Sequence, residues 1–225
     1  EGFKWTQLLN PEFYINLEIG GHHIGIYVVL FIVFAETGLF AGFFLPGDSL
    51  LFLSGIYSEV LMRELMTVHG DFANVALLAT LVAISGIIGN IFGYWFGAKS
   101  GHYLYAKEDN FWFKKKYLIQ SRLFFEKHGG RAIVIARFIP IVRTFAPIVA
   151  GIVAMDKKKF VYFNVVGCLA WVSSMLCAGH FLQAWILKQF QFDLKNHLEV
   201  IVLGIVLVTT LPVIINVISH RSRKS

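Results

Sequence analysis

The stretch Ala136–Pro147, ARFIPIVRTFAP, places two arginines, Arg137 and Arg143, inside an apolar segment that runs from Ala132 to Met155. An arginine at mid-bilayer costs roughly 2.5–3.5 kcal/mol on insertion scales, so two of them require a role that offsets the cost. Pro140 and Pro147 add helix breaks within the same segment, freeing backbone carbonyls that lipid cannot satisfy. A plain transmembrane helix has neither feature. A broken segment, buried in protein and lining a polar cavity, has both.

The surrounding composition fits a membrane setting. Of 225 residues, 56% are hydrophobic, 16% aromatic and 15% charged, with a mean hydropathy of +0.65, values of helical membrane proteins rather than soluble domains. The net charge of +6 is carried in short basic runs beside apolar segments. That is the pattern of the positive-inside rule, so the charge reads as topology and not as a nucleic-acid footprint. Cys168 and Cys177 are the only cysteines; at that spacing they point to nearly opposite faces of a helix and cannot bridge within it.

Residues 1–23, with Trp5, Phe13, Tyr14 and a helix start at Asn10-Pro11-Glu12, read as an N-terminal interfacial segment. Residues 24–57 are almost wholly apolar but are interrupted by Glu36, Gly38, Gly42 and Pro46-Gly47-Asp48. They are too long for one crossing of about 20 residues and too short for two, which predicts a re-entrant hairpin of two short helices. Residues 74–97 read as a transmembrane helix, with Gly86, Gly89, Gly93 and Gly97 spaced to admit another backbone. Residues 98–131 carry eight Lys or Arg against three acids and read as a basic cytoplasmic amphipathic segment. Within it, 109–127 is expected to lie as a helix on an anionic lipid surface. A second re-entrant hairpin over 132–154 follows. Transmembrane helices over 160–187 and 198–218 and a basic cytoplasmic tail over 219–225 complete the chain.

Charge sets the topology. Both flanks of 132–154 are strongly basic and belong in the cytoplasm, so that segment enters and returns without crossing. The two later spans run out and back. Working backwards puts 58–73 outside and makes 24–57 a hairpin entered from the opposite face. The expected fold is an all-α polytopic membrane protein. It is an inverted repeat of re-entrant helical hairpin plus transmembrane helix, with one further C-terminal transmembrane helix, the plan of many secondary transporters. A weak echo at an offset of 101 residues agrees with it: Ala35-Glu36 falls on Ala136-Arg137, and Phe44 and Pro46 fall on Phe145 and Pro147.

The apolar segments hold two acids on the first hairpin, Glu36 and Asp48, and two bases on the second, Arg137 and Arg143. Facing hairpins would balance the set, which is how buried charges are tolerated. Buried ion pairs are poor stabilisers compared with apolar replacements, so costly charges beside helix breaks point to a pathway rather than a staple. Arginine offers a permanent charge and a planar fork matched to phosphate. Glu36 and Asp48 can change protonation, and an anion competing with them for an arginine supplies a device for proton-coupled transport. Pro46, Gly47, Pro140, Thr144 and Pro147 are expected to supply hairpin breaks and polar contacts, with Asn90 and Asn164 as hydrogen-bond partners for the hairpin backbone. The histidines form no HExxH and no Cys/His cluster, and no Gly-rich phosphate loop occurs. No metal, cofactor, catalytic residue or ATP motor is expected.

These blocks resemble the DedA family of bacterial membrane proteins, which shares its core domain with eukaryotic lipid scramblases. The matching pieces are Glu36-Thr-Gly with Phe44-Leu-Pro-Gly-Asp48, Gly89–Gly97, Phe125-Glu-Lys-His-Gly129, and Arg137-Phe-Ile-Pro-Ile-Val-Arg143-Thr with Pro147 and Ala150-Gly151. They end in Asn164 and Trp171, and the resemblance covers roughly 25–185. It implies a hairpin-containing inverted repeat in the bacterial inner membrane, C-terminus cytoplasmic. It also implies movement of undecaprenyl phosphate or a phospholipid such as phosphatidylethanolamine between leaflets, with Glu36, Asp48, Arg137 and Arg143 essential. Asn90 stands where the family often has an acid, and His180 where it often has an aromatic. A proton or small-ion antiporter using the same carboxylates is the competing reading. A lipid phosphatase lacks its paired His and Arg/Lys signature, and a non-transporting scaffold would tolerate loss of all four charges.

Overall fold

The computed structural model describes residues 11–15, 17–19, 22–39, 47–63, 65, 70–106 and 115–190. Pro46 and the segments expected over 198–218 and 219–225 lie outside the described residues, as do residues 107–114 of the basic block.

A short helix α1 (Pro11–Ile15) opens with proline at its first position, where the missing N–H costs nothing. Strands β1 (Glu18–Ile19) and β2 (His22–His23) pair as a two-residue antiparallel ladder. Next come α2 (Gly25–Gly38), α3 (Gly47–Ile56) and α4 (Ser58–Arg63). Helix α5 (Asp71–Ala106) has 36 residues, about 54 Å of rise at 1.5 Å per residue. Helix α6 (Lys115–His128) stops where Gly129 takes φ 56 and donates its N–H to Phe125 O at 2.8 Å, a left-handed C-cap that glycine adopts without penalty. Then follow α7 (Arg131–Ala136), α8 (Pro140–Ile152) and α9 (Lys157–Phe190). Asp156 caps α9 by accepting the Lys159 N–H at 2.9 Å.

Two helical stretches are long and apolar enough to cross a membrane, Phe72–Gly101 at mean hydropathy 2.2 and Lys157–Gln189 at 1.7. Their outward faces agree with that setting. On α5, Ile84, Ile88, Ile91, Trp95 and Phe96 are exposed, and on α9 Tyr162, Val166, Leu169, Phe181 and Trp185 are exposed. A soluble monomer rarely shows apolar surface on this scale. By contrast α2, α3 and α8 have 14, 10 and 13 residues, each short of the roughly 20 a crossing needs.

The helices pack in related pairs. Helix α2 lies against α5 and α7 against α9; α3 lies against α9 and α8 against α5; α2 touches α3 and α7 touches α8. Exchanging α2 with α7, α3 with α8 and α5 with α9 maps every one of these contacts onto another. Glycines make the same exchange at atomic detail. A Cβ on Gly55 would lie 2.2 Å from Leu176 O, and one on Gly179 would lie 2.0 Å from Phe52 O. A Cβ on Gly151 would lie 2.1 Å from Tyr94 O, and one on Gly97 would lie 2.0 Å from Ile148 O. At both crossings a glycine faces the backbone of the residue three before the opposing glycine, the close approach that small residues permit.

The larger core gathers Ile26, Val29, Leu50, Leu53, Leu78, Val82, Val172 and Leu176 from α2, α3, α5 and α9. A smaller one, Tyr94, Ile133, Ala150 and Phe160, joins α7 and α8 to the long helices. Pro147 was expected to break its segment, yet α8 runs through it. A proline removes one helical hydrogen bond, to the carbonyl four residues back at Arg143, and the remaining turns hold.

Candidate buried charge site

Glu36 sits in the last turn of α2, Asp48 in the first turn of α3 and Arg143 in the first turn of α8. The helix ends converge, and all three side chains are buried. The Arg143 guanidinium donates through Nη2 to Glu36 Oε1 and through Nη1 to Asp48 Oδ1. It lies over the Trp171 ring, 4.7 Å from the centroid. The Trp171 indole N–H donates to Asp48 Oδ1 at 3.1 Å. The result is a clasp: one cation, two carboxylates and an aromatic floor that also braces one carboxylate. Gly47 makes room for it, since a Cβ there would lie 1.5 Å from Glu36 Oε2. Thr144, next to Arg143, is buried as well.

Arg137 has different company. It lies in the bend between α7 and α8, 2% exposed, and donates through Nη2 to Asn164 Oδ1 at 2.5 Å. Asn164 Oδ1 also accepts from Asn90 Nδ2 at 2.7 Å, and Asn164 Nδ2 donates to Ile87 O at 3.2 Å. The two asparagines therefore link the arginine between α7 and α8 to α5. They bind each other, the guanidinium and the α5 carbonyl of Ile87, where the expected partner was the backbone of residues 24–57 or 132–154. No carboxylate among the described residues pairs with Arg137, and its Nη1 has no partner. Asn90 Oδ1, Arg143 Nε and Glu36 Oε2 are also buried without a partner.

Four charges thus divide unevenly. The clasp sets two carboxyl groups against one guanidinium, and Arg137 stands as a buried cation on neutral amides with one donor free. Such a group is costly, and an incoming anion is the natural partner for it. Trp171 is the site residue that sequence reasoning did not assign. Its signal was position: tryptophans concentrate at membrane interfaces, and one in mid-span needs a partner for its N–H. His180 packs edge-on against Phe181, ring centroids 5.3 Å apart. Among the described residues no group of three His, Cys, Asp or Glu side chains could hold a metal ion, and both cysteines are free.

The VTT domain family model matches residues 25–181, from the start of α2 into α9, enclosing every residue of the clasp and of the amide link. The chain belongs to the DedA family of VTT-domain membrane proteins. It is 35% identical to Protein DedA of Escherichia coli over 215 residues, 95% of this chain and 92% of that protein. It is 37% identical to an uncharacterised membrane protein of Mycobacterium tuberculosis over 198 residues, 88% of this chain and 81% of the relative. It is also 32% identical to inner membrane protein YghB of Escherichia coli over 163 residues, 69% and 68% of the two chains. No solved structure matches the chain.

Proposed function

We propose that this DedA-family member is a transporter, not an enzyme, that moves a phosphate-bearing lipid between leaflets. Undecaprenyl phosphate and a phospholipid such as phosphatidylethanolamine are the candidate cargoes. The observation that carries the reading is the unlike state of two buried arginines, one clasped by Glu36 and Asp48, the other holding a free donor. The phosphate docks first on Arg137, whose charge lacks a counter-ion. Protonation of Glu36 or Asp48 from the aqueous side removes a negative charge and loosens Arg143, which then closes on the same phosphate. Loss of the proton on the other side restores the clasp and expels the anion. Chemically, a carboxylate and a phosphate compete for one guanidinium, and the proton decides the winner.

The short helix pairs support a matching architecture. We read α2 with α3 and α7 with α8 as re-entrant hairpins of an inverted repeat, because none is long enough to cross and their packing exchanges pairwise. In this reading α6 lies on the anionic inner leaflet, and the C-terminus is cytoplasmic in the bacterial inner membrane. Cysteines placed at 130 and 157 should label from one side of the membrane; labelling from opposite sides overturns the second hairpin.

The transport test uses proteoliposomes carrying labelled undecaprenyl phosphate or labelled phosphatidylethanolamine, with and without a pH gradient. Wild type should move one label faster under a gradient, and Arg137→Ala should fall to the protein-free rate. Intact transport in both Glu36→Gln and Arg143→Lys would sink the mechanism. The closed clasp also favours a second reading, a proton or small-ion antiporter in which Arg143 is only a counter-charge. That protein would pass ions in the same liposomes while neither lipid moved.

A further inference from the structure

We propose that residues 91–98 of α5 and the first turns of α9 form a seat for an anionic lipid of the surrounding leaflet, separate from the buried charge site. A groove of about 200 Å³ opens between the two helices, lined by Ile91, Tyr94, Trp95, Ala98, Lys157, Phe160 and Val161. Its floor is rigid. Tyr94 stacks on Phe160 at 4.5 Å between centroids, and the Tyr94 hydroxyl donates to Met155 O at 2.5 Å. Its lips are apolar and uncovered: Ile91, Trp95 and Val161 are 40%, 53% and 40% exposed. These lips belong to the two helices long enough to cross the bilayer, so an acyl chain is the neighbour they meet.

The headgroup end is cationic. Lys157 lines the groove, and Lys99 rests over the Trp95 ring at 5.3 Å from its centroid. Among the described residues no acid lines the groove; Asp156, which acts electrostatically on Tyr94 in the floor, caps α9 and lines the neighbouring cavity with Glu126 and Lys159. Lys157, Lys158 and Lys159 also occupy the first turn of a helix, where the macrodipole disfavours cations. Phosphate at that end reverses the penalty, since helix N-termini and lysines then act on the same anion. An apolar slot with Lys157 in its wall and Lys99 on the lip residue Trp95 fits one acyl chain beneath one anionic headgroup.

Trp95 is a built-in reporter. The full-length protein would be placed in nanodiscs containing increasing amounts of dibrominated phosphatidylglycerol or dibrominated phosphatidylcholine. The signal is the quenching lost in Trp95→Phe. Phosphatidylglycerol should reach half-quenching at a lower mole fraction than phosphatidylcholine, by about fivefold for each contributing lysine. Lys99→Gln and Lys157→Gln should each remove one such factor, and the double variant should erase the preference. Both lysines are exposed, so folding is not at stake. Arg137→Ala should leave the preference unchanged, which separates this seat from the transport reading. Equal quenching by the two lipids, or a preference that survives the double substitution, overturns the proposal. So does a Trp95 that neither lipid quenches while a cysteine at 91 cross-links to a second copy.

Discussion

Arg137 and Arg143 are six positions apart in one segment, yet they live in opposite electrostatic conditions. Arg143 donates to two carboxylates and lies on an indole. Arg137 donates to one amide oxygen shared with Asn90 and leaves a donor unmatched. The first arrangement is what a folded protein needs in order to bury charge. The second is what a binding site needs in order to attract it. The difference predicts that the two arginines fail differently when removed.

Arg143→Ala strands two buried carboxylates and should cost about 3–5 kcal/mol of stability, together with transport. Arg137→Ala removes a cation that no carboxylate among the described residues contacts directly. It should lower transport at least about thirtyfold while leaving the melting temperature in detergent near wild type. Thermal melts beside flux measurements on both variants test the contrast; equal loss of stability would erase it. Gly47→Ala attacks the clasp from its other side. The new methyl would occupy the place of Glu36 Oε2, and the overpacking should cost about 1–3 kcal/mol in the same melts.

Asn164→Asp sharpens the comparison by turning the second site into a copy of the first. A carboxylate against Arg137 supplies a direct counter-ion but turns the donor to Ile87 O into an acceptor facing it; the two effects oppose, so the melting temperature should change little. Transport should slow by about tenfold, because 1.4 kcal/mol of added hold on the guanidinium is one decade in competing phosphate affinity. Trp171→Phe keeps the aromatic floor but removes the N–H to Asp48, and should cost about 1 kcal/mol with a few-fold loss of transport.

Much of this was legible in residue order. Apolar runs marked α5 and α9, Pro140 marked the start of α8, and the basic block marked α6. The four charged positions stood out because each is expensive in an apolar segment. Their pairing did not, since a sequence gives the sign of a charge but not its distance from another. Both acids converge on Arg143 because α2, α3 and α8 end at one point, and that meeting rests on close glycine contacts between helices distant in sequence, such as Gly38 on Gly89 and Gly97 on Ile148. Trp171 was masked for the same reason: an aromatic in a span reads as core until Asp48 is placed against it. The repeat echo was faint because the packing-equivalent glycines are not separated by a constant number of residues, so no single offset aligns the halves.

The smallest expected effect is also the most selective. Asn90→Ala deletes a donor to Asn164, a bond worth about 0.6 kcal/mol between membrane helices. It also deletes the buried, unpartnered Asn90 Oδ1, and an unsatisfied buried acceptor carries a penalty of about 1–3 kcal/mol that disappears with the side chain. The two changes oppose, so the melting temperature should hold or rise slightly. Asn164 then keeps Ile87 O and Arg137 as partners but loses the third bond that fixes its Oδ1. A less firmly aimed Arg137 should reduce transport a few-fold with no change in the clasp. If Asn90 only glued helices together, flux and stability would move together; a variant that keeps its stability and loses flux assigns the amide link to the anion rather than to the fold.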